Sequence, residues 1–152
     1  MRRDYFTLDV DPGPEEGAKP VVTVDFDGPE GPFETRLTDE SGETLDAARV
    51  DVAYRLQDPE MGPGATGVFS ITNRITGDYV LEVNVEATTV IDLVTAARAY
   101  GKAADIDDGR YQIAISIDDE QVATYDKSTF LVYDIAGELL RQHSLIPSGV
   151  EL

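Results

Sequence analysis

Two stretches with a shared pattern, TGDYVLEVNV at residues 76–85 and DGRYQIAISI at residues 108–117, decide the fold. In each, a Gly-x-Tyr triplet is followed by residues that alternate between apolar and polar. Alternation with a period of two is typical of a strand that has one face on a core and one in solvent. A third stretch, RVDVAYRLQ at residues 49–57, alternates in the same way. The sequence therefore predicts a largely β protein.

Shorter candidate strands surround these three, and turn-forming residues rich in Gly, Pro and Asp separate them. Many short strands at this spacing are typical of a sandwich or barrel. One polar face on each strand favours antiparallel pairing over a core on one side. We therefore predict an all-β antiparallel sandwich of about eight or nine strands. The shorter strands are predicted at residues 5–10, 21–26, 33–37, 67–72, 121–125, 129–134 and 138–144.

One segment departs from the alternation. TTVIDLVTAARAYGKAAD at residues 88–105 places its apolar residues at steps of three and four, which predicts one α-helix over about residues 89–104. Thr89 and Asp92 are spaced like a capping box at its start. Its apolar stripe, expected to be a core seam, consists of Val90, Leu93, Val94, Ala97, Tyr100 and Ala104.

The chain of 152 residues suits a single domain spanning residues 1–152. Residues 9–20, DVDPGPEEGAKP, are predicted to be a polar loop between two N-terminal strands. Residues 145–152 form a C-terminal tail that stays apolar to its end. We expect this tail either to pack on the body of the domain or to pair with another chain at the C-terminal edge.

Charge excludes some classes of partner. The chain has 30 acidic against 12 basic residues and a net charge of −18, so nucleic acid and anionic membranes are not expected as partners. It has no cysteine, which removes disulfides and thiolate chemistry. No apolar run is long enough to span a membrane, and the N-terminus lacks the apolar core of a signal peptide. These features predict a cytoplasmic protein.

No set of residues predicts catalysis. The single histidine, His143, cannot form a histidine metal site, and its neighbour Ser144 would point away from it on a strand. The acidic stretches do not match the register of an EF-hand, and no phosphate-binding glycine motif occurs. We therefore predict no catalytic, cofactor-binding or metal-binding residues, no cofactor, and a protein that is not an enzyme.

Residues 37–85 carry a longer pattern. LTDESGETLDAARVDVAY places Asp39, Gly42 and Leu45 ahead of an alternating strand, and GVFSITNRITGDYVLEVNV follows it. This pair resembles the carboxypeptidase-regulatory-like, or transthyretin-like, β-sandwich repeat. The resemblance implies an antiparallel immunoglobulin- or transthyretin-like sandwich, and it implies no catalytic residue.

The whole chain also resembles an uncharacterised family of small acidic proteins of halophilic archaea. The shared features are a start like RRDYFTL at residues 2–8 and an ending like STFLVYDIAGELLRQHSLIPSGVEL at residues 128–152. This resemblance implies a salt-loaded cytoplasm, in which screening relieves the repulsion between surface carboxylates. It implies no activity.

DDGRYQI at residues 107–113 resembles the tyrosine corner of immunoglobulin-like sandwiches. The resemblance implies that Asp107, Gly109 and Tyr111 build a structural turn, with the tyrosine hydroxyl bonded to upstream backbone.

Three functions are compatible with this sequence. The first is a non-enzymatic protein-interaction or scaffold domain, which binds a protein partner or a second copy of the chain. The second is a ligand-binding module that holds carbohydrate, or calcium weakly, in its acidic loops. The third and last is a carboxylate-based hydrolase.

Overall fold

A computed structural model describes residues 3–15, 17–106 and 109–147. Eight strands and two α-helices make up most of these residues, with short 3-10 helices at Arg3–Tyr5, Ala47–Arg49 and Arg141–His143. The strands and helices are β1 (Phe6–Asp11), β2 (Val21–Phe26), α1 (Glu30–Arg36), β3 (Val50–Leu56), β4 (Thr66–Asn73), β5 (Tyr79–Glu86), α2 (Ala87–Ala103), β6 (Tyr111–Ile117), β7 (Glu120–Lys127) and β8 (Leu131–Tyr133).

The strands form two four-stranded sheets that share one core. The first sheet has the order β1-β2-β6-β7, and the second has the order β5-β4-β3-β8. Phe69 of the second sheet and Tyr111 of the first both contact the ring of Phe130, which links the two inner faces. The predicted β-rich, sandwich-like architecture with one main helix is confirmed.

The prediction of antiparallel pairing throughout is wrong at two places. Strand β2 pairs with β6 in parallel, from Val21 opposite Gln112, and β3 pairs with β8 in parallel. The alternation shows which face of a strand is buried, but it is the same for parallel and antiparallel neighbours. Parallel neighbours need a long connection, and here α2 lies in the chain between β2 and β6.

Alternation itself is confirmed in the strongest strands. In β3, Val50, Val52, Tyr54 and Leu56 are all buried, and the residues between them are exposed or half-buried. The hydroxyl of Tyr54 donates a hydrogen bond of 2.9 Å to the carbonyl of Val85, so this polar atom is satisfied inside the core.

Two predicted strands are not strands. Residues 33–37 belong to helix α1 and its C-terminal end, where Phe33 and Leu37 are both buried. These two residues are four apart, so one helix turn buries them together as well as a strand would. Residues 138–144 contain only a single bridge at Leu139 and a 3-10 helix, followed by a bridge at Leu145.

The main helix, α2, begins two residues earlier than predicted, directly after β5. Its N-cap is Glu86, which makes no side-chain capping bond, so the capping box predicted from Thr89 and Asp92 is wrong. The apolar stripe is confirmed over its first three turns, where Val90, Leu93, Val94 and Ala97 are buried. Ala104, at the far end of the predicted stripe, is exposed.

The two Gly-x-Tyr triplets serve different purposes. Gly77 has a φ of +79° in the turn before β5, and Tyr79 is 51% exposed next to an irregularity in the β4–β5 register. By contrast, a Cβ on Gly109 would lie 3.2 Å from the carbonyl oxygen of Ala97, and Tyr111 is fully buried. The first glycine therefore permits a turn, while the second permits close packing against α2.

Tyr111 is structural, although its partner differs from the one that a tyrosine corner implies. Its hydroxyl donates a 2.7 Å hydrogen bond to the carbonyl of Thr129, which lies downstream and not upstream. Burial raises the pKa of this phenol well above its usual range. Asp107, the first residue of the predicted corner, lies outside the described residues.

Tyr111→Phe is expected to lower the free energy of unfolding by about 1 kcal/mol, because it removes the hydrogen bond to the carbonyl of the half-buried Thr129. The matched control is Tyr125→Phe in the neighbouring strand. Within the described ranges, the Tyr125 hydroxyl is buried without a hydrogen-bond partner, so its removal should be neutral or stabilising. Urea unfolding of both variants measures the difference, and equal losses would contradict the assigned hydrogen bond.

Candidate functional site

The C-terminal edge, predicted either to pack on the body or to pair with another chain, is bonded to the chain's own residues as far as Leu145. Phe130 and Leu145 exchange two backbone hydrogen bonds of 2.9 and 2.8 Å. The backbone N–H of Val132 donates to the hydroxyl of Ser144 at 2.9 Å, and the carbonyl of Val132 accepts from Leu140 at 2.8 Å. The outward backbone groups beside β8 are therefore satisfied. Residues 148–152 of the predicted tail lie outside the described residues.

A different edge is open. Strand β1 is the first strand of its sheet, and within residues 3–15, 17–106 and 109–147 it pairs only with β2. Along its free side lies a groove of about 650 Å³, bounded by β1, helix α2 and the loop that follows β1. Leu8, Asp9 and Val10 all line it. Because consecutive residues of a strand point to opposite faces, lining by three in a row places the groove along the strand's edge.

The floor of the groove is an uncovered margin of the core. Phe6, Leu8 and Val10 share one face of β1, but only Phe6 is buried, while the other two are half-buried against the core. On the opposite wall, Ala96 and Ala99 of α2 line the groove with side chains too small to fill it. An apolar strip thus stays accessible between strand and helix.

The loop closes one end of the groove. Gly13 and Gly17 have φ values of +92° and +85°, which favour glycine, and the backbone N–H of Gly13 donates to the carboxylate of Asp11 at 2.9 Å. A Cβ on Gly17 would lie 2.9 Å from the Cβ of Ala103. Gly17 thus packs tightly against the end of α2, and the described part of the predicted polar loop belongs to the candidate site. The predicted start of that loop is wrong, because residues 9–11 belong to β1.

The rim of the groove is acidic. Asp9, Glu15 and Asp92 line it with exposed carboxylates, and the described lining contains no lysine or arginine. Thr89 and Thr95 add hydroxyl groups on the helix side. The arrangement joins an apolar floor to a negative rim, beside a strand edge.

Two other polar side chains, those of Asp39 and Lys127, form hydrogen bonds within the chain. In a hollow of about 400 Å³, the carboxylate of Asp39 accepts hydrogen bonds from Ser41, Glu43 and Arg49, and these bonds lower its pKa. Lys127 of β7 donates to the carbonyls of Ala47 and Val50 at 2.8 Å each, which ties the two sheets together. Desolvation lowers the pKa of this lysine.

Strand β7 is the other edge of the first sheet. Glu120, Gln121 and Thr124 are exposed along it, and charged side chains on an edge discourage pairing. Its end at Lys127 is covered by the 3-10 helix Ala47–Arg49.

Across the part of the chain that is described, no group of three or more His, Cys, Asp or Glu side chains is placed to hold a metal ion. His143 lies half-buried in the last 3-10 helix, and Ser144 is engaged with Leu140 and Val132. Of the acidic stretches considered for calcium, Asp107 and Asp108 lie outside the described residues.

The groove itself was not predicted from the sequence. The signals that point to it are Thr89, Asp92, Ala96 and Ala99, which form a second stripe of small residues beside the buried stripe of α2. Such a stripe leaves room only if no other element covers it, and that depends on tertiary structure. None of the described helices is long and apolar enough to cross a membrane.

Comparison with curated proteins and with solved structures gave no match. Comparison with protein families gave one, described as a family of unknown function, DUF5793, and the match runs over residues 1–152. The prediction of an uncharacterised family is confirmed, and the chain belongs over its whole length to DUF5793.

Proposed function

We propose that this protein is a non-catalytic interaction domain that binds an extended segment of a partner protein along β1. The observation that carries the proposal is the groove between the free edge of β1 and helix α2. An exposed strand edge offers unpaired backbone N–H and C=O groups, and an extended peptide can satisfy them by adding a strand.

The shape of the groove suits an added strand. Leu8, Asp9 and Val10 follow its length on one side, and α2 forms the other wall. A fifth strand on the free side of β1 would continue the sheet β1-β2-β6-β7 and lie beside helix α2. Because side chains of a strand alternate, every second residue of the partner would point to the apolar floor.

Backbone pairing and floor contacts have different effects on binding. Backbone hydrogen bonds to β1 contribute affinity for any extended segment, while the half-buried Leu8 and Val10 select apolar side chains at alternate positions. Ala96 and Ala99 set the width of the slot between strand and helix. A small or medium apolar side chain fits this slot better than a large aromatic one.

We also propose that the protein works in a salt-loaded cytoplasm and that residues 37–85 form a transthyretin-like repeat. The excess of 30 acids over 12 bases supports the first. The antiparallel run β3-β4-β5, which covers most of the resembling residues 37–85, supports the second.

The experiment is selection of displayed random octapeptides against the folded protein. Peptides enriched on the wild type should lose most of their binding to Ala96→Phe, whose ring fills the slot. The matched control is Val122→Phe, which adds a ring to an exposed residue of β7, away from the groove. Both variants are first checked for a native melting transition, and Ala99→Phe serves as a second groove variant.

Enriched peptides that bind both variants equally would show that the groove is not their site. Failure to enrich any peptide above the background on a protein-free support would contradict the proposed function.

A further inference from the structure

The rim of the groove adds information about its occupant that the strand edge does not. We infer that the bound segment is cationic, with lysine or arginine at the positions that face the rim and apolar residues between them. This inference rests on the proposed function.

Charge at the groove has one sign. Asp9, Glu15 and Asp92 come from the strand, the loop and the helix, so negative charge surrounds the apolar floor on all three sides. None of the three takes part in the four ion pairs found among the described residues, which use Asp39, Asp51, Glu82 and Asp126. These rim carboxylates are therefore available to a partner's charges.

The alternation of side chains along β1 separates the charged rim from the apolar floor. Asp9 lies on the opposite face of β1 from Leu8 and Val10. A strand paired with β1 would therefore place one set of side chains over the floor and the other set on the side of Asp9. An alternating Lys-Val segment meets both requirements, whereas an alternating Glu-Val segment would set like charges side by side.

Salt should affect the fold and the complex in opposite directions. Added salt relieves repulsion within a chain of net charge −18, but it also screens attraction between the rim and a cationic segment. The floor contacts and strand hydrogen bonds are not screened, so binding weakens with salt without vanishing.

The test uses three blocked octapeptides, which alternate Val with Lys, Ser or Glu. Binding is measured by calorimetry at the lowest KCl concentration at which the protein's circular dichroism is native. We expect the Lys peptide to bind roughly tenfold more tightly than the Ser peptide, since three exposed charge pairs each contribute modestly. The Glu peptide should bind more weakly than both.

The variant that tests the rim is Asp9→Asn, Glu15→Gln and Asp92→Asn combined. It should remove the preference for Lys over Ser. A control with the same change in charge elsewhere, Glu40→Gln with Asp78→Asn and Glu120→Gln, should retain most of the preference. If control and rim variant lose it equally, overall charge and not the groove attracts the peptide, and the inference fails.

The outcomes separate the two proposals. Equal binding of all three peptides, abolished by Ala96→Phe, would overturn the cationic inference and support the added strand. Preferred binding of the Lys peptide that survives Ala96→Phe would overturn both, because the peptide would then bind outside the groove.

Discussion

Gly67→Ala is expected to lower the free energy of unfolding by about 3 kcal/mol or more, because the new methyl group has no space. A Cβ at this position would lie 2.5 Å from the carbonyl oxygen of Arg55 and 2.5 Å from Cζ of Tyr54. Tyr54 is fully buried and its hydroxyl is held by the carbonyl of Val85, so the ring cannot move aside cheaply. Urea unfolding in molar KCl measures the loss.

The control for this variant is Gly62→Ala. A Cβ on Gly62 meets no heavy atom within 4 Å, and its φ is not in the left-handed region. Its free energy of unfolding should stay within about 0.5 kcal/mol of the wild type. If Gly67→Ala unfolds at the same urea concentration as Gly62→Ala, the close packing of β4 on Tyr54 is wrong.

Raising KCl from about 0.1 M to 1 M should raise the Tm by on the order of 10 °C, as the Debye length falls from about 10 Å to 3 Å. The reason is a net charge of −18, with 30 acids against 12 bases. At low salt the unscreened carboxylates repel one another and destabilise the compact state. Thermal unfolding followed by circular dichroism at several KCl concentrations measures the effect.

Two comparisons isolate screening from other effects of salt. Sucrose is excluded from the protein surface but does not screen charge. It should therefore not reproduce the steep rise in Tm at the lowest KCl concentrations. Glu40→Gln combined with Asp78→Asn and Glu120→Gln should reduce the rise, because it removes three exposed charges. A Tm that is the same at both KCl concentrations would contradict this prediction.

Much of the fold could be predicted because alternation records burial directly. The bounds of β2 and β6 match the predicted residues 21–26 and 111–117, and the core stripe of α2 is right at Val90, Leu93 and Val94. Alternation carries no information on which strand is a neighbour, so the parallel pairs could not be predicted. Spacing of four residues is equally compatible with a helix turn, which explains the missed helix at Phe33 and Leu37.

The candidate site was less predictable than the fold. Residues 9–20 were predicted to be a polar loop, but the position of Gly17 against Ala103 depends on the packing of α2. Residues 138–144 were predicted to form a strand, and instead the hydroxyl of Ser144 accepts a hydrogen bond from the backbone N–H of Val132. Which edges stay open is therefore a property of the assembled sheets.

The parallel pairing of β2 with β6 has a consequence for how the chain folds during synthesis. Strands β3, β4 and β5 pair with neighbours in sequence, so this three-stranded part of the second sheet can form early from local contacts, before β8 is added. The hairpin of β1 and β2 emerges first, but it must wait for Tyr111–Ile117 before its sheet is complete. Until then the apolar face of the hairpin, which includes Val22, Val24 and Phe26, has no complete core to pack against. The N-terminal hairpin is therefore the part of a nascent chain most exposed to aggregation.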